Sequence, residues 1–308
     1  MLGQGTYAIV YKEGPLAVKV SRKGDYSQCL AKEIVILKGL DHPAIIKVQG
    51  VFLRDEALAF SMEAYKNTLF EKLDHMASRE FSAALADVCA GLAYIHSAGI
   101  VHCDINPTNI LLKDNGAVLC DFGLARTFPT SEAAEVINAR YRAPEVALDD
   151  CPWGSAADVW AVGICILEFL CLYYSRSLGD TPDEKGGTYY RTMFRPLLDN
   201  GGNDPRGIPF RDLSAHFGKL FYMDWPLATV FCRCVEEKRA SAVIVHKELC
   251  LLAGRPSAVT LAREPFSYEW LSARCAAQQK CMGSLLDNFA MNPCKAQLTL
   301  SETAALLQ

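Results

Sequence analysis

Asp104, Asn109 and Asp121 are two carboxylates and an amide that lie within one short stretch of chain. Each offers a hard oxygen donor, the kind that holds a magnesium ion against phosphate better than it holds zinc or copper. The stretch, residues 102–123, reads H-C-D-I-N-P-T-N-I-L-L-K-D-N-G-A-V-L-C-D-F-G. Apolar bursts at 110–112 and 117–120 flank Asn115-Gly116, a strong two-residue hairpin signal. A short hairpin thus carries Asp104 and Asn109 at its entrance and Asp121 at its exit. Phosphoryl chemistry is the natural use of such a set.

Other elements must hold that hairpin in place. Residues 7–12 and 16–20 read as a strand pair turning at Glu13-Gly14-Pro15, and 58–64 as a further apolar strand. Leu30, Ile34 and Leu37 recur at helical spacing. Phe81, Leu85, Val88, Leu92 and Ile95 mark one face of a long helix that ends before Gly99. The most apolar stretch, 159–174, is broken by Glu168 and falls short of the roughly 20 residues a bilayer crossing needs. It reads as a core helix. Residues 173–215, rich in Gly, Pro and Asp, read as a loop-heavy insertion, and 253 onward as packed or appended helices.

Composition narrows the classes. With 308 residues, 51% of them hydrophobic and 21% charged, the chain is globular. A formal net charge of −4 without a basic block implies neither nucleic acid nor an acidic membrane as partner. The 13 cysteines are scattered and odd in number, and the N-terminus lacks a secretory signal pattern. Free thiols in a soluble, intracellular protein, cytoplasmic or nuclear, are expected. Cys232/Cys234 and Cys275/Cys281 lack the further ligand pair that a zinc site needs.

The motif residues resemble the eukaryotic protein kinases, whose catalytic loop is H-R-D-L-x-x-x-N and whose metal loop is D-F-G. The resemblance implies an α+β, two-lobed kinase fold with a small β-rich N-lobe and a larger, mainly helical C-lobe. It makes Asp104 the base for the substrate hydroxyl, with Asn106 beside it, and Asn109 and Asp121 the Mg²⁺ ligands. G-Q-G-T-Y-A-I-V over 3–10 resembles the glycine-rich loop over the ATP phosphates, with Ala8 for its last glycine. Lys19, in A-V-K, would hold the α- and β-phosphates and pair with Glu33. The implied ATP-binding set is Leu2, Gly3, Gly5, Ala8, Val10, Ala17, Lys19, Met62, Glu63 and Tyr65, the last three as gatekeeper and hinge. Y-R-A-P-E at 141–145 resembles A-P-E, so Glu145 would pair with Arg239. Asp158 would anchor the catalytic loop from below.

The order of motifs spans about residues 2–250 and is nearest to the cyclin-dependent and mitogen-activated serine/threonine group. It implies residues 1–65 as N-lobe and hinge with most of the first strand missing, 66–252 as C-lobe, and 253–308 as an extension. Small-molecule phosphotransferases share the two lobes and the Asp-to-Asn loop, but lack the A-P-E segment and the late arginine. The cyclin-reading helix motif is absent, since residues 27–33 read S-Q-C-L-A-K-E. A cyclin partner is not supported. Cys103 replaces the arginine that grips an activation-segment phosphate, and Ala133 stands at the activating-threonine position. Asn106 replaces a lysine that touches the γ-phosphate, and Asn138 a threonine that contacts this lysine. Reciprocal amide bonding between Asn106 and Asn138 is expected. The interval from Asn109 to Asp121 is one residue shorter than in relatives. Arg142 would shape a pocket favouring proline after the target hydroxyl. Serine/threonine phosphorylation by Mg·ATP is the implied function, and a pseudokinase scaffold the alternative. Divergence of this kind in a cysteine-rich frame also suits a large DNA virus.

Overall fold

The computed structural model describes residues 1–5, 7–22, 27–127, 138–148, 154–177, 224–236 and 238–262. Within it the chain divides into two compact units. Unit one holds residues 1–65 with 121–125; unit two holds 66–120 and the described residues from 126 on.

Among the described residues, unit one is a five-stranded antiparallel sheet with one α-helix. Its strands are β1 (Gly3–Gln4), β2 (Ala8–Glu13), β3 (Leu16–Ser21), β4 (Gly50–Arg54) and β5 (Ala57–Glu63), in the order β1-β2-β3-β5-β4. Glu13 pairs with Leu16, so Gly14-Pro15 form the turn; Gly14 has φ +61°, which glycine adopts without a Cβ penalty. Strand β3 is central and apolar at Ala17, Val18 and Val20, with Lys19 between them buried. Helix α1 (Ser27–Gly39) buries Leu30, Ile34 and Leu37, and also Val35 and Ile36, so more than one stripe is covered.

Unit two is mainly helical: α2 (Leu69–Lys72), α3 (Ser78–Ser97), α4 (Pro144–Leu148), α5 (Ala156–Ser177), α6 (Trp225–Val235) and α7 (Ala242–Ala253). A small sheet orders β6 (Asn67–Thr68), β8 (Ile110–Lys113) and β9 (Gly116–Leu119), and β7 (Ile100–Val101) pairs with β10 (Arg126–Thr127). Helix α5 is apolar enough over Ala156–Tyr173 to cross a membrane by length, but 83% of that window is buried in the protein. It is the core helix of the unit. Phe169 stacks on Phe81 of α3, with ring centroids 4.0 Å apart and planes 7° from parallel. Gly163 lets α6 come close: a Cβ there would lie 2.8 Å from both Cys234 Cβ and Val235 Cγ1.

The hairpin expected at 110–120 is present with a shifted turn. Lys113 pairs with Gly116, so Asp114-Asn115 form the turn, and Gly116 is the first residue of β9. The reason lies in α3. Asp87 Oδ2 accepts from Ala117 N at 3.0 Å, and a Cβ on Gly116, φ +144°, would fall 1.9 Å from that oxygen. Glycine is therefore needed beside the turn, where it admits the carboxylate. Arg255 Nη2 donates to the other oxygen of Asp87 at 2.9 Å. The insertion expected at 173–215 and the helices expected after 253 lie mostly outside the described residues.

Candidate active site

In unit one, β3 and α1 bring Lys19 and Glu33 together in the interior. Lys19 Nζ donates to Glu33 Oε1 at 2.8 Å and Oε2 at 2.7 Å, and to Asp121 Oδ1 at 2.9 Å. Glu33 Oε1 also accepts from Phe122 N at 3.2 Å, tying α1 to the D-F-G turn. Asp121 is held at φ +63°, and its Oδ1 faces Gly123 N at 3.4 Å. A non-glycine residue there costs free energy, which the lysine contact offsets. Burial by itself would lower the Lys19 pKa; the carboxylates of Glu33 and Asp121 outweigh it and keep the ammonium charged. Burial also pushes the Glu33 carboxyl up, to about 7, against the pull of Lys19.

The glycine-rich loop is the turn from β1 into β2. Leu2 N donates to Val10 O at 2.8 Å, and Gly5 N to Ala8 O at 2.9 Å. Ala8 is buried, whereas Leu2, Gly3 and Gly5 are exposed. Among the described residues, nothing lies within 4 Å of a Cβ position on Gly3, and on Gly5 only the Ala8 oxygen does, at 3.6 Å. Internal packing therefore does not require either glycine. Met62 pairs with Ala17, and Glu63 ends β5 opposite Leu16. Tyr65 Oη donates to Glu63 Oε2 at 2.9 Å.

In unit two, the loop after β7 is organised on Asp158, in the first turn of α5. Its Oδ2 accepts from His102 N at 2.8 Å and its Oδ1 from Cys103 N at 3.0 Å. Cys103, at φ +68°, takes a left-handed conformation between those two bonds. His96 Nε2 lies 2.9 Å from Asp158 Oδ2. His102 accepts from Asp104 N at Nδ1 (3.2 Å), and its Nε2 meets Cys120 O at 3.1 Å.

Both asparagines then converge on Asp104. Asn106 Nδ2 donates to Asp104 Oδ1 at 2.9 Å, and Asn109 Nδ2 to Asp104 Oδ2 at 2.7 Å. Each amide nitrogen also reaches the Asp104 carbonyl, at 3.2 and 2.9 Å. Asn106 Oδ1 accepts from Thr108 N at 3.0 Å and from the Thr108 hydroxyl. The expected Asn106–Asn138 bond is not formed. Asn106 has spent both amide ends locally, and Asn138 Oδ1 instead accepts from Arg140 N at 3.2 Å. Asn109, by committing its nitrogen to Asp104, keeps its oxygen as the end suited to a cation.

The 141–145 segment is fixed by two glutamate contacts, one part-buried at Glu145 and one buried at Glu168. Arg239 grips Glu145 through both terminal nitrogens, Nη2 to Oε2 at 2.9 Å, and lies over the Trp160 ring at 5.0 Å. The arginine side chain is 10% exposed, so this is not a solvated surface pair. Tyr141 Oη donates to Glu168 Oε2 at 2.8 Å in the core. Glu168 and His96 are the residues that sequence reasoning passed over. The charge that interrupts the apolar run was the available signal for Glu168; His96 had none. Arg142 and Asn138 line a small cavity together with Asp104 and Cys103. Residues 128–137, with Ala133, lie outside the described residues. The nine described cysteines are all free.

Known proteins are similar to this chain over more than half of its length. Residues 1–185, more than half of the chain, match the family model described as protein kinase domain. A relative named "Probable serine/threonine-protein kinase" from Arabidopsis thaliana is 29% identical over 196 residues, 55% of this chain and 33% of its own length. Cyclin-dependent kinases F-4 and F-3 of Oryza sativa subsp. japonica are 32% and 31% identical over 187 and 186 residues. Those matches take in 56% of this chain and 41% and 43% of the relatives, so the chain spans less than half the length of each. The two-lobed α+β architecture and the family match agree, and the chain belongs to the protein kinase domain family.

Proposed function

We propose that the chain is an active, ATP-dependent serine/threonine kinase that phosphorylates protein hydroxyls, with Mg²⁺ held by Asn109 and Asp121. The observation that carries this reading is the state of Asp104. Two amide donors hold its carboxylate, one on each oxygen, which fixes its orientation for receiving a hydroxyl proton. Bound Mg·ATP would supply the phosphoryl group. Asp121, whose side chain is 45% exposed, offers a hard carboxylate donor of the kind that suits a divalent cation. The exposed Gly3 and Gly5, which packing does not explain, suit a backbone cradle for phosphates. Leu2, Ala8, Val10, Ala17, Met62, Glu63 and Tyr65 complete the proposed nucleotide set. Residues 1–65 act as N-lobe and hinge and 66–252 as C-lobe.

Catalysis in this reading rests on positioning and charge neutralisation rather than a covalent intermediate. The Lys19–Glu33 pair is already closed in the single chain, which supports activity without a cyclin. The placement of Arg142 in the cavity that Asp104 also lines supports recognition of Ser-Pro or Thr-Pro. A peptide array with labelled Mg·ATP tests both points. Label on serine and threonine with a gain from proline is expected. Label on tyrosine overturns the hydroxyl class, and no gain from proline overturns the pocket assignment.

A further inference from the structure

Asn106 stands where the resemblance places a lysine, and its amide faces the Asp104 carboxylate. An amide can face a carboxylate with either end, and only the nitrogen end bonds to it. Asn106 is 5% exposed, so both lone pairs of its Oδ1 call for protein donors. One residue supplies both. Thr108 donates its N–H to Oδ1 at 3.0 Å and its hydroxyl to the same oxygen. At the other end, Nδ2 donates to Asp104 Oδ1 at 2.9 Å and to the Asp104 carbonyl at 3.2 Å. The two ends of the amide therefore meet groups of opposite kind. A reversed amide would set N–H against the Thr108 N–H and oxygen against both Asp104 acceptors. Three bonds would be lost, and only the hydroxyl could adapt, by accepting instead of donating.

Thr108 lies in the short turn Pro107–Asn109, for which Asn106 is the N-cap. Capping accounts for the backbone bond but not for the one from the hydroxyl. Thr108 is exposed, so core packing does not account for its side chain either. Asn138, expected to hold Asn106, accepts from Arg140 N instead, which leaves the local contact to do so. We propose that Thr108 is a positioning residue: its hydroxyl, together with its N–H, fixes the Asn106 amide with the nitrogen toward Asp104. The catalytic consequence rests on the reading of Asp104 as the base; the geometry of the amide does not. Without the hydroxyl the amide can turn, and Asp104 loses a fixed donor for part of the time.

Single-turnover transfer from labelled Mg·ATP to a serine peptide is measured on the parent, Thr108→Val, Thr108→Ala and Thr108→Ser, each also in Asn106→Ala protein. Thr108→Val and Thr108→Ala should lower the rate about three- to tenfold, the worth of one neutral hydrogen bond, with nucleotide affinity unchanged. Thr108→Ser should recover most of that loss. In Asn106→Ala protein the same changes should alter the rate by less than about twofold, because the group they act through is gone. No loss in the parent background, an equal loss in both backgrounds, or no recovery with serine overturns the proposal. The side-chain amide signals of Asn106 read the lock without turnover; isotope-labelled asparagine and their loss in Asn106→Ala assign them. Exchange of those amide protons with water should speed up in Thr108→Val and slow again in Thr108→Ser. Equal exchange in the parent and Thr108→Val overturns the lock. A parent that transfers no label contradicts the kinase reading alone, and the exchange result still decides for or against Thr108.

Discussion

Replacing Asn106 with aspartate changes one atom and reverses the meaning of the contact with Asp104. The new side chain keeps the oxygen that Thr108 N reaches at 3.0 Å, so the local fold is retained. At the other end, an amide donor 2.9 Å from Asp104 Oδ1 becomes a carboxylate oxygen. Two unit charges at that separation repel by about 6 kcal/mol at an effective dielectric of about 20. Left unrelaxed, this would correspond to about four pH units; relaxation and proton sharing reduce it, and a displacement of about one to three units remains. The two carboxyls then titrate as a pair, with the second proton lost at higher pH. Because the base must be ionised, the acid limb of the kcat profile moves to higher pH by that amount. The lost charge-assisted bond, worth about 1.5–3 kcal/mol, lowers the plateau by about 10- to 100-fold if it is all felt in the transition state. Initial rates from pH 5 to 9 on Asn106→Asp, with Asn106→Ala beside it, read both effects. Asn106→Ala should lower the plateau and move the limb up by less than Asn106→Asp does, because it removes a donor from the carboxylate without adding a charge. An Asn106→Asp profile that overlays the parent in position and height would show that Asp104 is not the base, or that Asn106 does not touch it in solution.

Three further outcomes follow from the packing and the titrating groups. Gly163→Ala puts a Cβ 2.8 Å from two side-chain atoms of α6 and should cost about 1–3 kcal/mol, read as a lower denaturant midpoint with the slope unchanged. Burial pushes the thiols of Cys89, Cys165, Cys171 and Cys234 above their ordinary value of 9.0. Unfolding lets them ionise from pH 9, so the unfolded state binds fewer protons there and stability falls as pH rises above 9. The slope is about 1.4 kcal/mol per pH unit for each thiol, and Cys171→Ala should flatten it; an unchanged slope in that variant would remove Cys171 from the account. Finally, Cys103 cannot grip a phosphate as arginine does, so phosphatase treatment should leave the rate within tenfold. A larger loss would mean that a phosphate is read elsewhere.

The sequence was most legible where chemistry and periodicity coincide. Lys19, Glu33, Asp158 and Glu145 each belong to a spaced motif, and each meets in space the group that its motif names. The hairpin turn was misread by one residue because Asn115-Gly116 is a strong local signal. The competing demand came from Asp87, 30 residues away, whose carboxylate fills the space a Cβ on Gly116 would need. The Asn106–Asn138 bond failed for a similar reason. Two amides can pair in principle, but Thr108 and Asp104 lie within two residues of Asn106 and take its bonds first. His96 was invisible because its bond to Asp158 joins two helix ends that only the tertiary fold brings together.

The central claim is that Asp104, held by Asn106 and Asn109, is a working catalytic base despite Cys103 and Asn106. It is tested most directly by the single-turnover rate of purified protein with labelled Mg·ATP and a serine peptide, set against Asp104→Asn. Nucleotide affinity is measured on both proteins, so that binding and chemistry are read separately. The expected result is label transfer by the parent, a loss of at least 100-fold in Asp104→Asn, and nucleotide affinity equal within threefold. Equal label transfer by the two proteins, or nucleotide binding with no transfer by either, would contradict the claim; the second result would leave a nucleotide-binding scaffold in its place.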